Sequence, residues 1–218
     1  FMIILAAYLT LKILKLMKVN TSSLLIFSVF LIEPTLTRYQ FNLLTELVFL
    51  FFFTIILYCF IYSLVKKKSF FFFLGFFFIT CSTFIRPLTL YLPYYLIILI
   101  ILLYILNKSQ RHKLGYKFLI VGIVGVFLHF TLTHLWSYRN YKVAGVKEFA
   151  TVQSANLYYY LTAGINAEKE KRDWEVVRDE YFFKTKDFSP QELSDHSKKE
   201  IIKAIINNPI AAIKVGLK

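Results

Sequence analysis

Residues 69–107 form a stretch of 39 residues with a single charge, Arg86. A helix crosses a bilayer with about 20 apolar residues, so this stretch is too long for one crossing and fits two. Arg86 and the following Pro87 stand where the hairpin between the two helices would turn. A guanidinium at membrane depth is costly unless it meets a polar partner or the membrane interface, which makes Arg86 a candidate functional residue.

The rest of the first 137 residues continues the apolar pattern. Cations gather between alternate apolar runs, and this alternation, with the Lys-rich loops in the cytoplasm, is what six crossings require. The sequence therefore predicts an all-α membrane protein, with about six transmembrane helices in residues 1–137 and a mostly helical extracytoplasmic tail in residues 138–218. The apolar runs cover approximately residues 1–11, 22–33, 43–65, 69–85, 88–106 and 117–137.

The charged residues are divided unevenly between the two regions. The chain has 26 Lys and Arg against 13 Asp and Glu, and eleven of the thirteen acids follow residue 140. The cations of the first region cluster at the ends of apolar runs, as juxtamembrane lysines do. We therefore expect a multi-pass protein of the cell membrane and no nucleic-acid partner. The chain opens on Phe1 inside an apolar run, which favours a piece of a longer protein.

The tail contains two segments with helical patterns. Residues 164–180 are polar and are predicted to be helical. Ser189-Pro190-Gln191-Glu192 has the pattern of a helix start, with Ser as N-cap, Pro in the first turn and Glu closing a capping box. The second helix is predicted to run to about Asn207, with a partly apolar side that would lie on the membrane or pack on the transmembrane bundle.

Two charged residues stand at predicted helix ends on the extracytoplasmic side. Glu46 opens a long apolar helix, where a carboxylate is favoured by the helix dipole. It either caps that helix, or orients a sugar or acceptor hydroxyl, or helps hold a metal. Arg86 is either a cation that snorkels to the interface or a phosphate ligand, because its planar fork matches phosphate oxygens.

Further polar residues fall on the same predicted side. Arg38 lies in the loop before Glu46, and Arg139 with Asn140 follows the sixth apolar run, where the pair either anchors the chain at the interface or contacts a headgroup or sugar. His129 and His134 are five residues apart in the sixth run, and no carboxylate accompanies them at ligand spacing. We therefore expect no metal site there.

These groups, in this order, resemble the membrane glycosyltransferases of the GT-C type, the bacterial relatives of dolichyl-phosphate-mannose protein mannosyltransferases and of lipid A aminoarabinose transferase. The resemblance covers about residues 5–160 and rests on three short motifs. They are a proline and an outer loop leading to a helix-opening Glu (Pro34 to Glu46), an Arg-Pro hairpin (Arg86-Pro87), and an Arg-Asn segment leading to a Gly (Arg139-Asn140 to Gly145).

The resemblance implies transfer of a sugar from a polyprenyl-phosphate carrier to a lipid, glycan or protein acceptor on the extracytoplasmic face. It implies that Glu46 orients the sugar or acceptor, that Arg86, Arg38 and Arg139 bind phosphate, and that Asn140 adds a polar contact. In the family an acidic residue of the first extracytoplasmic loop is the general base, often beside a divalent metal. That loop would precede Phe1, so this sequence does not decide whether a divalent metal is the cofactor. This piece alone is expected to be inactive.

Two other classes of function remain open from the sequence. A transporter or flippase for an anionic lipid or glycan would need polar groups and broken helices near the bilayer midplane. The apolar runs here have unusually few polar groups at their centres, which counts against this class. A non-catalytic membrane scaffold would depend on the charge pattern of residues 164–200 and not on Glu46 or Arg86.

Overall fold

The structure is a computed structural model that describes residues 2–19, 22–32, 45–106 and 108–216. The regular elements of these residues are all helical. They form two compact units, residues 1–133 and 134–218, whereas the sequence pattern puts the boundary after residue 137. The helices of the first unit are α1 (Met2–Leu16), α2 (Ser23–Ile32), α3 (Thr45–Lys66), α4 (Ser69–Ile85), a 3-10 turn (Pro87–Thr89), α5 (Leu92–Leu106) and α6 (Lys108–Ala144), which continues into the second unit.

Within the described residues, three stretches are long and apolar enough to cross a membrane. They are Thr45–Lys66, Pro87–Leu106 and Gly115–Ala144, while α4 is apolar but has 17 residues. α6 is interrupted at Gly115, whose φ of +66° is favourable only for glycine. The described residues thus give a membrane-associated helical protein, and the full set of six crossings stays a prediction.

α3 and α4 pack as an antiparallel hairpin. Lys67 adopts a positive φ of +54° at the turn, and the Lys68 N–H donates to the Ser63 carbonyl at 3.0 Å. The two helices approach closely because Gly75 has no side chain: a Cβ there would lie 2.7 Å from the Phe60 ring. The hairpin brings the first turn of α3 to the last turn of α4.

Aromatic rings fill the core of the first unit. Phe72, Phe76 and Phe118 are buried, and Phe60 packs on them. The rings meet edge to face with centroids 5.2–5.5 Å apart, the arrangement that aromatic quadrupoles favour. The phenylalanine-rich sequence therefore supplies the core of this unit, and it also leaves Phe53, Phe70 and Phe77 exposed.

The second unit is a small helical cluster. Its remaining elements are α7 (Thr151–Asn156), a π-helical segment (Leu157–Thr162), α8 (Ala163–Glu170), α9 (Trp174–Thr185), α10 (Pro190–Asn207) and α11 (Pro209–Gly216). The predicted capping box of α10 is confirmed, with both reciprocal hydrogen bonds between Ser189 and Glu192. The predicted helix over 164–180 is two helices: Lys171 takes a left-handed conformation, and Asp173 caps α9 by accepting from two backbone N–H groups.

Tyr158 lies at the centre of this second unit. Its ring stacks on Tyr181 at 4.8 Å and meets His196 edge-on at 5.2 Å, and its hydroxyl is 3.1 Å from His196 Nε2. Burial raises the pKa of Tyr158, so the phenol stays protonated and available as a donor. The neighbouring Tyr159 stacks on Phe182 with ring centroids 3.9 Å apart.

Candidate functional site

The structure joins two of the residues singled out from the sequence, Glu46 and Arg86. Glu46 lies in the first turn of α3, and Arg86 directly follows the last residue of α4. Arg86 Nη2 is 3.0 Å from Glu46 Oε1. The antiparallel hairpin explains the meeting, because it places the start of one helix beside the end of the next.

The backbone around Arg86 fixes the place of the guanidinium. Arg86 is extended, with φ −141° and ψ 120°, and its N–H donates to the Ser82 carbonyl at 2.8 Å. Pro87 then begins a 3-10 turn, so the chain changes direction at the Arg-Pro peptide. The predicted position of Arg86 at a turn between two apolar helices is confirmed.

The ion pair between Arg86 and Glu46 is partly exposed. The side chains of Arg86 and Glu46 are 41% and 29% exposed. A pair with this exposure contributes at most about 1 kcal/mol in water, so it is a weak stabiliser there. Arginine has five N–H donors in a planar fork, and Glu46 engages one terminal nitrogen within the described residues. The remaining donors suit an oxyanion.

A buried cluster of hydroxyl groups lies beside this turn. Thr89 Oγ1 is 3.1 Å from Ser82 Oγ and 2.9 Å from Thr83 Oγ1, and all three side chains are buried. The Ser82 and Thr83 hydroxyls also lie within hydrogen-bond distance of the Ile79 carbonyl. This cluster ties the segment after Arg86 back to the last turn of α4.

His129 extends the polar cluster to α6. Its Nε2 is 2.9 Å from the Leu90 carbonyl oxygen, and its Nδ1 is 3.1 Å from Thr80 Oγ1. A carbonyl can only accept, so Nε2 carries the proton, and in the neutral ring Nδ1 is an acceptor. The single Thr80 hydroxyl proton then has two acceptors within reach, His129 Nδ1 and the Phe76 carbonyl oxygen at 3.0 Å. His129 is fully buried and joins α4, α6 and the turn after Arg86.

The sequence pattern did not single out these hydroxyl residues. A signal was present: Thr80, Ser82 and Thr83 stand within one turn of a strongly apolar helix, immediately before Arg86. From the sequence, His129 has significance only as a possible metal ligand with His134, and the spacing of the two argues against that role. The structure gives it a different role, that of a hydrogen-bonding bridge between helices.

Arg139 and Asn140 lie in the second unit and contact neighbouring residues of that unit. The Arg139 guanidinium lies over the Trp136 ring at 5.0 Å and donates to Asn140 Oδ1 at 3.2 Å. Asn140 Nδ2 donates to the carbonyls of Glu148 and Phe149 at 3.0 and 3.1 Å. These contacts hold the turn that follows α6. Arg38 lies outside the described residues.

Glu148 is a carboxylate that the sequence pattern did not single out. It is 15% exposed, accepts from Ser154 at 3.0 Å and from Ser194, and pairs with Lys198. Its partners come from α7 and α10, so it links two helices of the second unit.

A divalent-metal site is not supplied by the described residues. They contain no group of three His, Cys, Asp or Glu that could hold an ion. Glu46 is the sole acidic residue of the first unit within them, and Arg86 engages it. The residues present therefore do not fit the metal that the GT-C resemblance associates with the general base.

Comparison of the chain with protein-family models, with curated proteins and with solved structures finds no match.

Proposed function

We propose that this chain is the lipid-phosphate-binding part of an integral-membrane glycosyltransferase. The enzyme would transfer a sugar from a polyprenyl-phosphate carrier to a lipid, glycan or protein acceptor on the extracytoplasmic face. The observation that carries the proposal is the Arg86–Glu46 pair, an exposed cation and an exposed carboxylate 3.0 Å apart at one end of an apolar helix hairpin. Six crossings, with the tail outside the cytoplasm, belong to the same proposal.

The chemistry assigns a separate role to each charge. In sugar transfer the bond between the anomeric carbon and the phosphate oxygen breaks, and negative charge develops on the departing phosphate. Arg86 stabilises that charge through its remaining N–H groups, which lowers the barrier most where water is excluded. The acceptor hydroxyl forms the new bond to the anomeric carbon and gives its proton to a carboxylate base.

Glu46 positions the other groups in this scheme. Its carboxylate holds the Arg86 fork in one orientation, and its second oxygen can accept from a sugar or acceptor hydroxyl. The buried cluster of Ser82, Thr83 and Thr89 keeps the backbone of the turn in place. Arg86 is thus presented by a fixed turn and not by a free loop.

One observation favours the second candidate, a transporter or flippase. His129 is a fully buried polar residue in the middle of the Gly115–Ala144 stretch, and membrane transporters place polar groups near the bilayer midplane. Both ring nitrogens of His129 are engaged by protein groups, however, so the residue is built into the packing. The glycosyltransferase proposal accounts better for the exposed charges.

The test is the binding of undecaprenyl phosphate to the purified chain in detergent micelles, measured by native mass spectrometry with undecaprenol as the uncharged comparison. We expect the phosphate to bind and Arg86→Ala to weaken its binding at least about tenfold, since charge-assisted hydrogen bonds contribute about 1.5–3 kcal/mol. Arg86→Lys should retain part of the affinity, because it keeps the charge and loses the fork.

Lys68→Ala is the matched control. It removes one exposed positive charge at the other end of the same helix α4 and should leave binding unchanged. Equal binding by wild type and Arg86→Ala, or equal binding of undecaprenol and its phosphate, would contradict the proposal.

A further inference from the structure

The helices α10 and α11 expose a row of isoleucines. Ile202, Ile206, Ile210 and Ile213 are 59%, 71%, 73% and 64% exposed. α11 has the sequence PIAAIKVG and contains no buried residue. Its two isoleucines, Ile210 and Ile213, therefore gain no stability from the hydrophobic effect unless something else covers them, whereas Ala211, Ala212 and Val215 are partly covered by the protein itself.

α10 also departs from the usual arrangement of a surface helix. Its buried residues are all small (Ser194, Ser197 and Ala204), whereas three of its isoleucines are exposed (Ile202, Ile205 and Ile206) and its other large aliphatic side chains are half-buried (Leu193 and Ile201). A helix of a water-soluble domain normally packs its largest apolar side chains inward and exposes polar ones. The exposed isoleucines of α10 therefore form an apolar surface that we expect another molecule to cover.

Lysines border the isoleucine row. At about 100° per residue, Lys199 and Lys203 lie within roughly 60° of Ile206 around the helix axis. Lys203 is 67% exposed with its ammonium 3.7 Å from Glu200 Oε1, and Lys214, which follows Ile213, is 60% exposed with its ammonium 3.3 Å from Glu168 Oε1. Both pairs are exposed, so they are weak and leave the ammonium groups able to contact a phosphate. Long lysine side chains at the edge of an apolar face can bury their stems and keep their ammonium groups at the level of lipid phosphates.

We propose that α10 and α11 lie in the interfacial region of an anionic bilayer, with the isoleucines at the acyl boundary and the lysines at the phosphates. The second unit is covalently continuous with Gly115–Ala144, a stretch long and apolar enough to cross a membrane. This tether keeps a bilayer surface at a high effective concentration for the two helices. The contact then needs little intrinsic affinity.

A protein partner fits the same face less well. Interface hot spots are enriched in Trp, Tyr and Arg, and interface cores are depleted in Lys. The row consists of isoleucines with lysines beside them, which matches the composition of interfacial membrane helices. The proposal is independent of the glycosyltransferase proposal and would stand if Arg86 bound no phosphate.

The test uses the full chain with Cys59 and Cys81 replaced by alanine, reconstituted in nanodiscs containing phosphatidylglycerol. A nitroxide is attached at Ile206→Cys, and its accessibility to oxygen and to a water-soluble nickel chelate is measured by power-saturation EPR. The matched control is Asp179→Cys, an exposed position on α9. We expect the oxygen-to-nickel accessibility ratio to be several-fold higher at position 206 than at position 179.

The lipid composition tests the contribution of the lysines. Replacing phosphatidylglycerol with phosphatidylcholine should lower the ratio at position 206, and Lys199→Gln with Lys203→Gln should do the same in phosphatidylglycerol. Equal ratios at positions 206 and 179 would mean that the face is in water. Exclusion of both reagents at position 206 would mean that protein covers it. Either result overturns the proposal.

Discussion

Residues 1–133 and residues 134–218 are both helical, and they hold their helices together with different chemistry. In the first unit, phenylalanine rings meet edge to face, and the N-cap residue of α4, Lys68, makes no side-chain cap hydrogen bond. In the second unit, Asp173 and Ser189 cap helices, and Tyr158 buries a ring whose hydroxyl is hydrogen-bonded.

This contrast indicates where to look for function in each part. In a unit whose helices are apolar on all sides, hydrophobicity does not separate inside from outside, and the rare polar side chains carry the information. Arg86, Glu46 and His129 are such residues. In a polar unit, charges are common, and the informative feature is an exposed apolar face such as the isoleucine row of α10 and α11.

The largest expected effect is on Tyr158, which tests whether the second unit depends on one buried ring. Tyr158 is 1% exposed, so Tyr158→Ala removes a fully packed aromatic side chain and leaves His196 without its phenol partner. We expect a loss of about 3–5 kcal/mol in the local stability of α10. Native-state hydrogen exchange of the full chain, read at the α10 amides, measures it.

Tyr160→Ala is the control for this prediction. Tyr160 belongs to the same π-helical segment and is 48% exposed, so its removal should cost much less. Similar exchange rates in the two variants would show that Tyr158 is not the centre of the unit.

A smaller effect is expected from Gly125, which tests whether the first unit is held by close packing. A Cβ at Gly125 would lie 2.6 Å from Phe76 Cβ, and Phe76 is fully buried, so its side-chain base cannot move away. We expect Gly125→Ala to destabilise the unit by about 1–3 kcal/mol, the usual cost of overpacking. The midpoint of unfolding by added SDS in mixed micelles reports the change.

Gly122 provides the matched comparison in the same helix. A Cβ there would lie 3.0 Å from the terminal Cδ1 atom of Ile97, and this flexible end can rotate. Gly122→Ala should shift the midpoint less than Gly125→Ala. The reverse order would contradict the close packing of α6 against Phe76.

The smallest effect concerns the capping box of α10 and depends on pH. Ser189→Ala should cost about 1 kcal/mol of helix stability by removing the N-cap acceptor. Hydrogen bonds from the side chain and backbone of Ser189 lower the pKa of Glu192. The contribution of Glu192 is therefore complete above its unfolded pKa of about 4.3 and is lost as the pH falls through the lower folded value.

Amide exchange in the first turn of α10 checks both parts of this prediction. The Glu192→Gln variant should show a weaker dependence on pH between about 5 and 3, because it has no carboxyl group to protonate. An equally strong pH dependence in this variant would place the titrating group elsewhere.

Local patterns predicted part of the fold well. The Ser189–Glu192 box, the turn at Arg86-Pro87 and the place of Glu46 in a first helical turn all depend on residues within four positions of each other. Local patterns of this kind predict the structure well because a cap or a turn does not depend on how distant segments of the chain pack. The break between α8 and α9 is not part of the prediction, which has one helix over 164–180, although Asp173 before Trp174 and Glu175 is an N-cap signal.

Contacts between distant residues could not be predicted in the same way. The pairing of Glu46 with Arg86 depends on the register of the α3–α4 hairpin, and the bridge from His129 to Leu90 spans 39 residues. The Glu148 cluster joins α7 to α10 across a similar distance. One sequence gives the residue types for these contacts but not the packing that brings them together.

The proposed function requires the charged end of the α3–α4 hairpin to lie outside the cytoplasm. Labelling of cysteines at the two ends of the hairpin tests this most directly. Leu88→Cys, next to the Arg-Pro turn at 78% exposure, and Lys66→Cys, at the other end of the hairpin, are made in a chain whose Cys59 and Cys81 are alanine. A membrane-impermeant maleimide is added to intact bacterial cells that produce the protein. We expect labelling of position 88 in intact cells and of position 66 only after permeabilisation. Labelling of position 66 alone in intact cells would put Arg86 and Glu46 on the cytoplasmic side and contradict the proposed extracytoplasmic site.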